Sequence, residues 1–104
     1  MKTKFTLITK HISLNKFWSR SFNSVERAIE TGEILKTREY ERHDIIGLVV
    51  GKNNGHRWIL YVRDPEDKKS EAKISLCSKK DVIFAIKLIK KYNKELWTTY
   101  IKKY

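Results

Sequence analysis

At 104 residues the chain is long enough for one domain with its own core and too short for two. Its 23 Lys and Arg against 12 Asp and Glu give a net charge of +11, which favours polyanionic partners, nucleic acid first, by electrostatic attraction. A single cysteine, Cys77, excludes an internal disulfide and fits a reducing, cytoplasmic setting, and the lack of any bilayer-length apolar run or leader predicts no membrane partner.

In chain order, Lys2 to Ile12 alternates in part and predicts a strand. Lys16-Phe17-Trp18-Ser19-Arg20 follows as a basic and aromatic cluster whose rings are more readily explained as core than as surface. Asn23-Ser24-Val25-Glu26 reads as a capping box, with the Asn as the cap, opening a short helix over about 24–31 that Gly32 would close in a left-handed turn. Glu33 to Tyr40 alternates again and predicts a second strand, with Lys36, Arg38 and Tyr40 on one side.

The stretch from Ile45 to Arg63 holds two β-branched and aromatic runs around Asn54-Gly55, the sequence signature of a two-residue β-turn. It predicts a central hairpin in which Lys52 opposes Arg57 and Leu48 opposes Tyr61. One face, with Val49, Trp58, Leu60 and Val62, carries no charge and is assigned to the core, Gly47 and Gly51 leaving room for close packing. The other interleaves Lys52, Arg57 and Arg63 with Leu48, Val50, Ile59 and Tyr61, and is too basic to bury fully.

Asp64 to Ser70, which contains the one proline, predicts an exposed loop. Ala72, Ile74 and Leu76 then alternate with Lys73 and Ser75 as a short strand expected to pair antiparallel with Trp58 to Val62. Ser78 is a natural N-cap with Asp81 in the first turn, and Val82, Ala85, Ile86, Ile89, Tyr92 and Leu96 keep helical spacing. A helix over about 79–103 would be about 37 Å long and would overhang strands of roughly 17 to 20 Å. Leu96, Trp97, Tyr100, Ile101 and Tyr104 lie in that overhang, which predicts a helix-mediated homodimer or contact with another protein. The fold expected is α+β: a four- to five-stranded antiparallel sheet with a central hairpin, one short helix, and a long C-terminal helix packed on one face.

Charge is unevenly placed: +5 over residues 1–20, −2 over 21–50, +2 over 51–78 and +6 over 79–104. His11, His43, His56 and Cys77 are scattered singly, so neither a metal site nor another cofactor is expected, and no glycine-rich phosphate loop is present. A metal-independent ribonuclease could recruit His56 beside Arg57, or His43 with Asp44, but a histidine beside a turn is ordinary and binding without catalysis is the simpler expectation. Single strands are held by cations tracking phosphates and by rings stacking on bases. Lys52, Arg57, Tyr61 and Arg63 supply both, Lys73, Lys36, Arg38, Tyr40, Lys16 and Arg20 could extend the track, and Tyr61 has the alternative of filling a second core layer. A second class of function is a phage or mobile-element protein that binds and inhibits a host protein through its aromatic C-terminal segment.

From Arg57-Trp58-Ile59-Leu60-Tyr61-Val62-Arg63 through Asp64-Pro65-Glu66, a charged loop, Lys73-Ile74-Ser75-Leu76 and a final helix, the chain resembles the closing half of the transcriptional positive cofactor four domain, whose relatives include the Whirly proteins. That resemblance implies a curved antiparallel sheet backed by a helix, dimerisation through the helices, and single-stranded DNA held across the sheet with little sequence preference. It covers roughly half the chain, and assigns DNA contact to Arg57, Tyr61, Arg63 and Lys73. Glu71-Ala72 stand where the family carries basic residues.

Overall fold

A computed structural model describes residues 2–103. Six strands form two antiparallel three-stranded sheets, and the chain order is strand, strand, helix, strand, repeated once. In the first half β1 (Lys2–His11), β2 (Lys16–Phe22), α1 (Val25–Thr37) and β3 (His43–Asn53) build sheet A in the order β2-β1-β3. In the second half β4 (Arg57–Asp64), β5 (Asp67–Leu76), α2 (Lys79–Tyr92) and β6 (Trp97–Lys103) build sheet B in the order β5-β4-β6. Each half is thus a hairpin whose first strand takes, on its free side, the strand that follows the helix.

This overturns the single sheet with a central hairpin. Both predicted strands exist, but β3 pairs with β1, Leu7 opposite Leu48, whereas β4 pairs with β5 and β6. The type I′ turn that Asn54-Gly55 suggests needs positive φ at both central residues, and of the two only Gly55 has it, at 85°. Asn53 and Asn54 instead accept from the backbone N–H groups of Gly55 (3.3 Å) and His56 (3.0 Å), and this link carries the chain from one sheet to the other.

The second correction concerns α1, which runs through Gly32 to Thr37. Ser24, not Asn23, is its cap, accepting from Arg27 N–H. Gly32 is buried inside the helix against Leu7 and Ile45, so the predicted strand over 33–40 is helix and then loop. The alternation read there is overridden by the buried stripe of Ala28, Gly32 and Leu35 against sheet A.

The third concerns the C-terminus. Ser78 caps α2 as expected, accepting from Asp81 N–H at 3.1 Å, but the helix stops at Tyr92. Asn93 leaves helical geometry at φ −157°, its side chain accepts from Glu95 N–H, and the β-branched and aromatic run Trp97-Thr98-Thr99-Tyr100-Ile101 pairs with β4. The overhang, and with it the basis for a dimer through helices, is absent.

The main core lies between the sheets and under α2, with Ile8, Phe17, Ile46 and Val49 of sheet A, Leu60, Val62, Ile74 and Leu76 of sheet B, and Val82, Ala85 and Ile89 of the helix. Leu96, predicted at an interface, is 1% exposed and belongs to this core. Gly47 and Gly51 face α2 and receive Leu88 and Asp81, which is the close packing that their lack of a side chain allows. A smaller core of Leu7, Phe22, Ala28 and Leu35 joins α1 to the opposite face of sheet A. Layering therefore runs α1, sheet A, shared core with α2, sheet B, and the outer face of sheet B is left without a covering element among the described residues.

Candidate nucleic-acid interface

Leu60 and Val62 point into the core, so the two-residue period of β4 sends Arg57, Ile59, Tyr61 and Arg63 to the outer face. Register adds Ser75 opposite Ile59 and Lys73 opposite Tyr61 on one side. On the other side Lys103, Ile101, Thr99 and Trp97 stand opposite Arg57, Ile59, Tyr61 and Arg63 in turn. The result is a surface about 20 Å long, with cations at both ends, rings towards one, and Ile59 at its centre only 5% exposed beneath its longer neighbours.

Local contacts hold these long side chains in place. Arg57 donates through Nη2 to Ser75 Oγ at 3.3 Å. The Lys73 ammonium stands 5.8 Å from the Tyr61 ring centre and the Arg63 guanidinium 4.8 Å from that of Trp97, both cation–π distances. Arg63 Nε is buried without a hydrogen-bond partner, so the guanidinium has a donor not used by the protein. The one ion pair among the described residues joins Arg38 to Glu41 at 3.7 Å, on the other side of the molecule. Among the described residues no carboxylate within ion-pair distance offsets the charge of Arg57, Arg63, Lys73 and Lys103, although alternation along β5 places Glu71 on the same side as Lys73. Five of the six carboxylates of the acidic stretch 21–50 lie in α1 and the loop after it, in the layer on the far side of sheet A from this face.

Of the residues picked out from the sequence, Arg57, Tyr61, Arg63 and Lys73 are brought together here. Trp97 and Ile101, assigned to a partner interface, join them, and so does Lys103, which was not singled out. The signal was the alternation of Trp97, Thr99, Ile101 and Lys103, hidden by the apparent continuation of helical spacing to Leu96. Tyr100 sits on the other face, 6.0 Å from Trp58 between ring centres, and Tyr104 is outside the described residues.

The remaining cations do not extend this track. Lys52 is on β3 in sheet A, Lys36 is in the last turn of α1, and Tyr40 is 79% exposed in the loop after it. Lys16, Arg20 and Arg38 line a separate basin with Trp18, His11 and His43. His43 is buried there, its Nδ1 2.7 Å from Thr9 Oγ1, and burial, with His11 and Arg38 adding to it, lowers its pKa against the opposing pull of Glu41. Its neighbour Asp44 is bonded elsewhere, accepting from the Tyr92 hydroxyl at 2.8 Å, and the pair imagined for catalysis is not assembled. Burial, then that bond, pushes the Tyr92 hydroxyl up to about 12.

Among the described residues no three His, Cys, Asp or Glu side chains are grouped as metal ligands are. No described helix is long and apolar enough to cross a membrane, which says nothing of a β-barrel. No family model, curated protein or solved structure matches the chain.

Proposed function

We propose that the protein binds single-stranded nucleic acid across the outer face of sheet B, without strong sequence preference and without turnover. The observation that carries this reading is the convergence of Arg57, Arg63, Lys73 and Lys103 with Tyr61 and Trp97 on a sheet face that no helix covers among the described residues. A gently pleated face of this width lets rings meet successive bases while cations reach the phosphates, and reads no base edges. Readout of a duplex in the major groove takes an α-helix or a two-stranded ribbon, whereas sheet B presents three strands side by side. The free, half-buried thiol of Cys77 is in keeping with a reducing compartment such as the cytoplasm.

Stacking distinguishes this from general attraction between a basic protein and a polyanion. Tyr61→Ala and Trp97→Ala should each weaken binding to a single strand by about 1–3 kcal/mol while leaving the weak duplex binding nearly unchanged. Fluorescence anisotropy with labelled single-stranded DNA, RNA and duplex DNA measures both. Equal losses on single strand and duplex would remove the role given to the rings.

A second copy is the partner that best fits the free edge of β6, which has a ladder only with β4 among the described residues. Two β6 strands paired antiparallel about Tyr100 would set Lys103 of each against Trp97 of the other and keep like charges apart. Tyr100→Lys would oppose two lysines at the centre, and light scattering should then report a monomer where the wild type is a dimer. A wild-type monomer at high concentration would dismiss the pairing.

A further inference from the structure

The track along β4 ends at Arg57, and beyond it lies a cavity of about 320 Å³ where the ends of the two sheets meet. Lys4 of β1 and Ser21 of β2 line it from sheet A, Arg57 and Ser75 from sheet B, and His56 from the link between the sheets. Among the described residues no carboxylate lines it. Asp81 packs against Gly51 in the neighbouring cleft and makes no ion pair with Lys4. Burial, with Asp81 adding to it and Lys4 opposing, raises the Cys77 thiol above its ordinary value of 9.0, so this lining residue brings no negative charge at neutral pH.

Two permanent cations, an imidazole and two hydroxyls around one cavity form a set of donors for a compact, highly charged anion. A phosphodiester inside a strand carries one negative charge, whereas a terminal phosphate monoester carries about −1.5 to −2 at neutral pH and three strong acceptor oxygens. Lys4 and Ser21 of sheet A bring a cation and a hydroxyl to this end of the track, beside Arg57. We propose that this cavity holds the terminal phosphate of the bound strand, so that the protein recognises phosphorylated ends. The inference rests on the track proposed above, since Arg57 belongs to both.

The test compares short, internally labelled single strands that carry a 5′-phosphate, a 3′-phosphate or hydroxyls at both ends. One phosphorylated strand should bind on the order of tenfold more tightly than the hydroxyl strand, as expected for new charge-assisted hydrogen bonds. Lys4→Met and His56→Ala should each bring that ratio towards one. Thermal melts by circular dichroism must show each variant folded, because an unfolded chain with a net charge near the wild-type +11 would bind all three strands alike and also bring the ratio to one. Equal binding of all three strands overturns the end site and leaves the track standing. If no strand binds, the track falls, and inorganic phosphate decides the cavity by itself. Amide shifts at Ser21, His56 and Cys77 on phosphate titration would keep it as an anion site, and their absence would remove it.

Discussion

Gly32 and Gly47 give opposite answers to the same substitution, and the sign at Gly32 tests where α1 ends. Gly32 lies inside α1 with ordinary helical φ, and a Cβ there would meet Ile45 Cδ1 at 3.7 Å and Leu7 Cδ1 at 3.8 Å, both comfortable contacts. Gly32→Ala should therefore stabilise the protein by about 0.5–1 kcal/mol, because alanine loses less backbone entropy in a helix. For a domain of this size that is a rise of roughly 2–8 °C in melting temperature. If the chain instead turned left-handed at Gly32, as its sequence suggests, the same change would cost roughly 1–2 kcal/mol. At Gly47 a Cβ would stand 2.6 Å from Leu88 Cδ1 and 3.2 Å from its Cγ, so α2 must shift or Leu88 must leave its rotamer. Gly47→Ala should cost about 1–3 kcal/mol, the usual penalty of overpacking. Thermal melts followed by circular dichroism measure both variants, and a lowered melting temperature for Gly32→Ala would refute the continuous helix.

Ser70 is fully buried, accepts from Asp64 N–H at 2.7 Å and donates to the Asp67 carbonyl at 2.6 Å, which ties together the turn between β4 and β5. Ser70→Ala should cost about 1–3 kcal/mol by leaving those backbone groups unpaired, seen in urea unfolding as a lower midpoint with unchanged slope. His43 is held below its ordinary value of 6.5, chiefly by burial, so as pH falls the unfolded chain takes up the proton first. Its contribution to stability is complete above about pH 6.5 and is lost as pH drops through the lowered value; His43→Gln should flatten melting temperature across that window, and an unflattened profile would assign the loss to other groups.

β1, β3, β4, the second half of β5 and the cap of α2 were legible from local pattern, whereas β6, the cap and length of α1, and the strand partners were not. Lys2 to Ile12 contains β1, Ser78 caps α2, and the pairing of Ala72 with Val62 and Leu76 with Trp58 follows from the two apolar faces. The hairpin failed because alternation specifies which face is buried and says nothing of which strand lies alongside. Val49, Leu60 and Val62 do share one core, as their face predicted, although they reach it from different sheets. Gly32 reads as a helix stop when burial against Leu7 is unknown, and Leu96 continues a helical stripe that ends one turn earlier. The interface was half legible for the same reason: Arg57, Tyr61 and Arg63 share one strand, whereas Trp97 and Lys103 join them only through long-range pairing.

The most direct test of the proposed interface is the salt dependence of single-strand binding for the wild type and for the double variant Arg57→Ala/Lys73→Ala. If Arg57, Arg63, Lys73 and Lys103 each neutralise one phosphate, log affinity against log salt falls with a slope of about −2.8, or roughly fiftyfold between 50 and 200 mM salt. Removing two of the four cations should halve that slope to about −1.4 while the protein remains folded. An unchanged slope in the double variant would contradict the account and place the binding surface elsewhere on the molecule.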